Sequence, residues 1–379
     1  MKFERKDVMY ISSPYNIPIL SNSRKWIIKN LDSMQEIDDS KYIILKKCNS
    51  KDLYSNIVRS FGKEVVDELI KKRFLVDATE EWNLKNVQYA EIETSTFCNN
   101  KCIYCPVCYD AKKAVVMDIE VFREIIQKIC DYGHIKFVTF NSYNEPCIEP
   151  LFLERAKIIS GTDLKILLNT NGTHLTKKMV DELVQLGVIE KITFNVPSIE
   201  SKEYERMTGN NKVEHVLEII DYCISSGLNV NISVQGTSSE LKNNLPKINK
   251  RFAYFFNNSI KGWHTLDRGG TLDNKYAQDI NIEGVLRGGC QKLTQWINIS
   301  VNGDFFICCN DYYQRSIYAN IKDGSIDRII NSTAAILNRQ FVFNSKKAPQ
   351  EFLCRHCDIM KNSVYLFDKG ERYLSKNYS

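Results

Sequence analysis

The sequence predicts an α/β fold built around a parallel sheet, with a small domain before it and a cysteine-rich region after it. Three observations support this prediction. Between residues 87 and 268, short apolar segments of strand length alternate with longer segments of helical periodicity, as in β/α repeats. Three cysteines follow the first of these strands within one loop, and five more lie between residues 290 and 357.

The composition is that of a globular protein with reduced thiols. The chain has 379 residues, enough for two or three domains, and a net charge of +5 without long runs of like charge. No segment has the pattern of a signal peptide or a membrane span. Its 13 cysteines, without a secretion signal, favour metal binding over disulfides. We therefore expect a cytoplasmic protein that binds neither nucleic acid nor a membrane.

Residues 1–84 are predicted to form the first domain. Short strand patterns at 8–11, 17–20 and 25–28 precede two helical patterns, and the segment 72–77 ends the domain like the wing of a winged helix. Acidic residues lie among the basic ones, which disfavours a DNA-reading role. We expect a winged-helix-like domain, joined to the next domain by a polar stretch at 79–81.

The middle of the chain is predicted to consist of six β/α units. The predicted strands are 89–93, 135–140, 164–168, 191–196, 229–234 and 260–265. The predicted helices lie near 118–130, 150–159, 175–186, 212–226 and 240–250. Ligands of such folds bind at the carboxyl ends of the strands, so the residues that follow each strand are the candidates for a site.

The loop after the first strand carries Cys98, Cys102 and Cys105. Soft thiolates held close together favour a soft metal or an iron–sulfur cluster. Three ligands hold three irons of a [4Fe–4S] cluster and leave the fourth iron open to a substrate or cofactor. A zinc knuckle is the alternative, but zinc sites usually show paired C-x2-C units, and no histidine lies close by.

The C-x3-C-x2-C spacing directly after a first strand resembles the radical S-adenosylmethionine (SAM) superfamily. The resemblance implies a partial (β/α)6 barrel over residues 85–285. It also implies that the open iron binds the amino and carboxylate groups of SAM, and that SAM is cleaved to a 5′-deoxyadenosyl radical.

The resemblance further implies which residues hold SAM. Ser142, Tyr143, Asn144 and Glu145, followed by Pro146, stand where the family has a Gly-Gly-Glu-Pro segment that holds the SAM amino group. Tyr143 and Asn144 lack the conformational freedom of the glycines they replace. The other residues implied to contact SAM are Asn169 and Asn171 in a Thr-Asn-Gly-like turn, Asn195 and Ser198 near the ribose, Gln235, and Arg268 at the SAM carboxylate. Alone, the Asn-Gly turn reads as an ordinary turn and Arg268 as a surface residue.

The last part of the chain, residues 286–379, resembles the SPASM/Twitch extension of the same superfamily. Its pattern is Cys290, Gly303, Cys308, and the pair Cys354 and Cys357. The resemblance implies that these four cysteines hold one auxiliary iron–sulfur cluster, as in Twitch, since no cysteine follows Cys357. Cys309 competes with Cys308 as a ligand, and a four-cysteine zinc ribbon is the alternative.

The remaining cysteines have separate interpretations. Cys147, after the Glu145-Pro146 pair, is the candidate donor of a hydrogen atom in catalysis. Cys48, Cys130 and Cys223 lie in apolar stretches and are predicted to belong to the core.

The first domain resembles the PqqD-like domains that bind leader peptides in peptide-modifying radical SAM enzymes. The preferred substrate is therefore a ribosomally made precursor peptide, modified by epimerisation, cross-linking or excision, with a reductant such as flavodoxin or ferredoxin. The alternatives are a small-molecule enzyme, such as a dehydrogenase of aminoglycoside pathways, and a non-enzymatic zinc protein.

Overall fold

The computed structural model describes residues 8–20, 26–30, 33–255, 260–265, 267–271, 290, 292–343 and 347–357. The first part contains two small antiparallel sheets and three helices. Its elements are β1 (Met9–Ser12), β2 (Ile17–Leu20), β3 (Trp26–Asn30), β4 (Ser33–Ile37), α1 (Asp39–Lys47), β5 (Asp52–Leu53), α2 (Tyr54–Phe61), α3 (Lys63–Lys71) and β6 (Leu75–Asp77).

The small N-terminal sheet has the strand order β5-β1-β6, and β2, β3 and β4 form a second sheet. The predicted wing contains β6, which pairs antiparallel with β1. The helices bury their apolar faces in a separate cluster that includes Tyr42, Ile57, Val66 and Leu69. The sequence patterns missed β4, β5 and α1, and Lys25, in the third predicted strand, lies outside the described residues.

The parallel sheet of the middle region is confirmed. It consists of β7 (Tyr89–Ile92), β8 (Phe137–Thr139), β9 (Lys165–Thr170), β10 (Ile189–Asn195), β11 (Val230–Gly236) and β12 (Ile260–His264), joined by α4 (Ile119–Tyr132), α5 (Phe152–Ser160), α6 (Lys177–Leu186), α7 (Ser201–Thr208), α8 (Val213–Ser225) and α9 (Ser238–Arg251). Each strand pairs in parallel with the next one along the chain. This order is the one that successive β/α crossovers produce.

Side chains of the parallel sheet alternate between two environments. On β11, Val230, Ile232 and Val234 are buried in the core. Ser233 and Gln235 point to the opposite face, which we call the inner face, because successive strand residues point to opposite sides. On β11 the inner face is thus polar and the outer face is apolar.

The C-terminal region extends the same sheet. Its elements are α10 (Lys292–Gln295), β13 (Trp296–Ile299), β14 (Asp304–Phe306), β15 (Ala319–Asn320), α11 (Ile326–Ile330) and α12 (Thr333–Phe343). β13 pairs in parallel with β7, and β14 then pairs antiparallel with β13. Gly303, with φ of 81°, makes the turn of this hairpin, and a Cβ there would meet the Ile321 side chain at 2.8 Å. The predicted boundary near residue 285 lies outside the described residues.

The segment between β6 and β7 is packed against the C-terminal helices. The Trp82 ring contacts the Tyr15 and Phe343 rings, and the Trp82 carbonyl accepts a hydrogen bond from Arg339 Nε at 3.0 Å. The Asn331 side chain bonds both the N–H and the carbonyl of Leu84. The polar stretch 79–81, predicted as a linker, is therefore followed by a segment that is bound to the C-terminal region. Among the described residues, no helix is long and apolar enough to span a membrane.

We expect Arg155→Leu to lower the free energy of unfolding by about 3–5 kcal/mol, because it leaves a buried carboxylate uncompensated. The Arg155 guanidinium lies 3.1 Å from Glu149 Oε1 and over the Phe122 ring, and both ionised side chains are fully buried. Denaturation by urea measures the effect. Arg123→Leu is the matched control, since its contact with Glu154 is about half exposed and is worth at most about 1 kcal/mol. Equal losses in the two variants would contradict this account.

Candidate active site

The loop with the three cysteines is fixed by the end of α7. The N–H of Lys101 donates to the Thr208 carbonyl at 2.8 Å, and the N–H of Ile103 donates to the Met207 carbonyl at 3.0 Å. α7 ends at Gly209, whose φ is 66° and where a Cβ would lie 3.2 Å from the Lys101 Cβ. The end of α7 therefore sets the path of the loop.

The three thiols of the loop lie close enough to influence one another. Burial, followed by the charges of Cys105 and Cys98, raises the pKa of the Cys102 thiol well above its usual range. Burial and the Glu145 carboxylate raise the pKa of Cys98 to about 12. Thiolates so placed need a positive partner, which a metal cluster provides.

Hydrogen-bond donors are already directed at Cys98. Its sulfur accepts from the Asn100 N–H at 3.4 Å and from Asn171 Nδ2 at 3.7 Å. In the described part of the chain, no three His, Cys, Asp or Glu side chains gather around one ion-sized position. The fit to a cluster therefore rests on the type, spacing and burial of the three thiols.

The turn after β8 is fixed to the turn after β9 through Glu145. Its Oε1 accepts from Thr170 Oγ1 at 2.7 Å and from the Cys147 N–H at 3.1 Å, and its Oε2 accepts from the Asn171 N–H at 2.6 Å. The Glu145 N–H donates to the Phe97 carbonyl, next to the cluster loop. In this structure the carboxylate positions the turns, and its contact with SAM stays a prediction.

The C-terminal cysteines form a second group. Asn310 bridges two of them, since its N–H donates to Cys308 Sγ at 3.3 Å and its Nδ2 donates to Cys357 Sγ at 3.5 Å. Burial, followed by Cys357 and Cys290, raises the pKa of the Cys354 thiol. Asn310 thus joins Cys308 to Cys357, and a single cluster held by Cys290, Cys308, Cys354 and Cys357 stays a prediction.

Cys309 has a different environment from Cys308. Its sulfur accepts a hydrogen bond from Lys292 Nζ. A hydrogen bond with the Cys308 side chain, together with the positive charges of Lys292 and Arg268, lowers the pKa of the Cys309 thiol. The two adjacent cysteines therefore interact with each other, but Cys308 is the one that shares Asn310 with Cys357, and Cys309 is the one that accepts from Lys292.

Comparison with known proteins identifies the family. Residues 92–246 match the family model of the radical SAM superfamily, and residues 290–358 match that of SPASM, an iron–sulfur cluster-binding domain. The chain belongs to the radical SAM superfamily. It is a radical SAM enzyme whose cofactors are SAM and a [4Fe–4S] cluster, and the SPASM match implies an auxiliary iron–sulfur cluster.

The similar proteins have different substrates. A GTP 3′,8-cyclase of Actinobacillus pleuropneumoniae is 27% identical over 40% of this chain and 47% of its own length. An S-adenosyl-L-methionine-dependent 2-deoxy-scyllo-inosamine dehydrogenase of Niallia circulans is 20% identical over 71% of this chain and 91% of its own. The matches to the first curated relatives span less than half of their lengths.

A solved structure has a similar fold over most of the chain. SuiB of Streptococcus suis, bound to the precursor peptide SuiA, superposes with a TM-score of 0.57 and 14% identity, over 93% of this chain and 94% of SuiB. The part of this chain that the superposition leaves out is shorter than residues 1–84, so the similarity in fold extends into those residues.

Tyr143 and Asn144, predicted to stand where the family has paired glycines, are both held in the turn after β8. Asn144 Oδ1 accepts from the Ser142 N–H at 2.9 Å, and its Nδ2 donates to the Phe140 carbonyl at 2.9 Å. The Asn144 side chain therefore stabilises the turn by local hydrogen bonds. Tyr143 packs against the Tyr312 ring, at 4.8 Å between centroids.

Two more predicted SAM residues reach the cluster loop. Asn171 Nδ2 donates to Asn99 Oδ1 at 2.9 Å, and Asn195 Nδ2 donates to the Tyr104 hydroxyl at 3.0 Å. Asn169 and Ser198 make no hydrogen bond to the cluster loop among the described contacts. Asn169 bonds Asn141 and Thr139, and Ser198 accepts from the Glu200 N–H.

Arg268 is half-buried and its Nε is enclosed, which disfavours the surface interpretation. It follows β12 in a turn where Arg268, Gly269 and Gly270 all have positive φ. A Cβ at Gly269 would collide with the Leu353 side chain, so this glycine permits the turn to approach the C-terminal cysteines. The guanidinium lies 5.9 Å from the Tyr143 ring centroid, and Gln235 is half-buried on the inner face.

Cys147 is buried behind the turn. Its N–H donates to Glu145, and its sulfur lies 3.5 Å from Thr170 Oγ1. Its role as a hydrogen-atom donor stays a prediction. Cys48 and Cys223 are buried as predicted, but the core prediction for Cys130 is wrong, because this residue is exposed on α4.

Glu91 is one of the buried acids that the sequence patterns missed. Glu91 on β7 is 7% exposed, and burial raises its pKa to about 8, although Lys292 Nζ lies 3.7 Å from its Oε2. The available signal was the alternation of Glu91 with Ala90 and Ile92, since a charged residue within a barrel strand points to the inner face.

Proposed function

We propose that this enzyme abstracts a hydrogen atom from a ribosomally made precursor peptide. When bound, the reduced cluster and SAM supply the 5′-deoxyadenosyl radical for this step. The observation that carries the proposal is the similarity to peptide-bound SuiB, which extends into the N-terminal domain. A small one-electron donor such as flavodoxin or ferredoxin would supply the electron.

In this proposal each group of residues has one task. Cys98, Cys102 and Cys105 hold the SAM-binding cluster. The turn residues Ser142 to Glu145, with Asn169, Asn171, Asn195, Ser198, Gln235 and Arg268, surround SAM. Cys290, Cys308, Cys354 and Cys357 hold a single auxiliary cluster, as in Twitch. Residues 1–84, 85–285 and 286–379 are the three corresponding domains.

The N-terminal domain offers a sheet edge for the peptide leader. β5 lies at the edge of its sheet, and Leu53 pairs there with Met9. Both apolar side chains are unusually exposed, Leu53 at 39% and Met9 at 44%. An extended peptide that adds to such an edge gains main-chain hydrogen bonds, and side-chain contacts give selectivity. We infer that the leader binds along β5.

The test uses the full-length holoenzyme and the peptide encoded by a short reading frame beside its gene. We expect Met9→Lys with Leu53→Glu to weaken peptide binding at least about tenfold, or about 1.4 kcal/mol. Formation of 5′-deoxyadenosine without peptide should not change. Ile43→Glu is the matched control, because Ile43 is equally exposed, at 48%, but lies on α1.

Unchanged peptide affinity in the β5 variant would refute leader binding at this edge. If the enzyme does not bind the peptide at all, the small-molecule function becomes the better proposal. The match to the 2-deoxy-scyllo-inosamine dehydrogenase, over 71% of this chain, favours that second candidate.

A further inference from the structure

Two buried acceptor oxygens lie side by side on the inner face of the sheet. Glu91 and Asn298 are direct partners in the parallel pairing of β7 with β13, so their side chains point to the same face. Glu91 is 7% exposed and Asn298 is 1% exposed. Glu91 Oε1 and Asn298 Oδ1 have no hydrogen-bond partner among the described residues.

The other atoms of these two side chains are already engaged. Asn298 Nδ2 donates to the Ile307 carbonyl at 3.2 Å, which leaves Oδ1 as the free atom. Glu91 Oε2 lies 3.7 Å from Lys292 Nζ. A buried polar atom without a partner costs about 1–3 kcal/mol, so two such neighbouring acceptors require a reason.

The acceptor pair lies beside the C-terminal cysteines and on the strand that leads into the cluster loop. Lys292 Nζ contacts both Glu91 Oε2 and the Cys309 sulfur. Glu91 lies on β7, the strand that precedes the loop of Cys98, Cys102 and Cys105. A substrate held between that loop and the auxiliary site would therefore approach these oxygens.

The local charges favour an uncharged group. Burial raises the pKa of Glu91 to about 8, so near neutral pH its carboxyl is largely uncharged, while Lys292, at 3.7 Å, and the Arg268 guanidinium carry positive charges nearby. A cationic ligand would be repelled by both, whereas a neutral N–H or O–H only needs the acceptor oxygens.

We propose that Glu91 and Asn298 form a substrate-binding acceptor pair that holds an uncharged hydrogen-bond donor, an amide N–H or a hydroxyl. This inference deepens the proposed function and rests on it for the choice of the amide, which a peptide carries at each residue. The pair positions the substrate, and neither side chain forms a covalent bond with it.

Small probes distinguish the two sources of such a donor. Crystals of the anaerobic holoenzyme with SAM are soaked in N-methylacetamide, which has one N–H. Matched soaks use N,N-dimethylacetamide, which has none, propan-2-ol, and methylammonium as the charged control. We expect N-methylacetamide to bind with its nitrogen within hydrogen-bond distance of Glu91 Oε1 or Asn298 Oδ1, and N,N-dimethylacetamide and methylammonium to be absent there.

The outcomes separate this proposal from the proposed function. Propan-2-ol at these oxygens without N-methylacetamide supports the acceptor pair but favours an alcohol substrate, against a peptide. Binding of methylammonium overturns the proposal. The proposal is also overturned if SAM, another part of the chain or ordered water alone donates hydrogen bonds to both oxygens. It is overturned as well if the probe binds elsewhere, as an adventitious additive only.

Variants test the role of the carboxylate. Glu91→Gln keeps an acceptor oxygen and should retain N-methylacetamide, whereas Glu91→Leu should lose it. Glu93→Gln is the matched control, because Glu93 lies two residues further on the same face but already accepts from Lys112 at 2.8 Å and Gln314 at 2.7 Å. Iron and sulfide contents show that each variant is folded and loaded. Retention of the probe in Glu91→Leu would contradict the proposal.

Discussion

Replacing Cys98, Cys102 and Cys105 together with alanine is expected to reduce formation of 5′-deoxyadenosine from SAM to background. The three thiols lie in one loop with the C-x3-C-x2-C spacing, where Cys102 is buried and Cys98 and Cys105 are half-buried. Without the thiolates no iron remains to bind SAM, so the loss should be complete. Chromatography of the anaerobic, reconstituted protein measures it.

The control for this variant lies in the same loop region. Cys108 follows Cys105 by three residues but stands outside the C-x3-C-x2-C spacing, so Cys108→Ala should keep 5′-deoxyadenosine formation. The triple variant should also keep iron in its C-terminal site. Normal 5′-deoxyadenosine in the triple variant would refute the assignment of this loop.

The second large effect is expected at the C-terminal cysteines. In the triple variant, iron and sulfide analysis should find about four irons if the auxiliary cluster is [4Fe–4S] and about two if it is [2Fe–2S]. We expect Cys308→Ala in that background to remove most of this iron. The reason is that Cys308 shares Asn310 with Cys357, which puts it next to another of the cysteines that we propose to hold the cluster.

Cys309→Ala is the matched comparison for this site. Its sulfur accepts from Lys292 instead, and we expect the variant to keep the iron and sulfide of the auxiliary cluster. The reverse result, with loss in Cys309→Ala and retention in Cys308→Ala, would exchange the two assignments. Zinc without sulfide would contradict an auxiliary iron–sulfur cluster altogether.

Much of the fold could be predicted because its signals are local. The strands and long helices of the parallel sheet show their periods of two and 3.6 in the sequence itself. α7 was not predicted, because charged residues surround its two buried apolar side chains, Tyr204 and Met207. Its position depends on contact with the cluster loop, a tertiary interaction that periodicity does not report.

The pairing of β13 with β7 was also beyond sequence patterns. The two strands are separated by about 200 residues, and no local signal specifies which strand a distant segment joins. The docking of Trp82 onto Tyr15 and Phe343 is similar, since it depends on three aromatic residues from distant parts of the chain.

In the candidate site, too, local sequence patterns indicated some features and missed others. The cysteine spacing indicated the cluster loop directly, because ligands of one cluster lie close in sequence. Spacing could not choose between Cys308 and Cys309, since the choice depends on which side of the chain each sulfur faces. Glu91 and Asn298 were missed because their significance appears only when β7 and β13 are paired.

We propose that this radical SAM enzyme takes a hydrogen atom from a peptide. The most direct measurement is mass spectrometry of 5′-deoxyadenosine formed with a precursor peptide that is deuterated at its carbon-bound positions. The account predicts that deuterium appears in 5′-deoxyadenosine and that the same peptide is modified. No deuterium from the peptide, together with transfer from deuterated 2-deoxy-scyllo-inosamine, would contradict it.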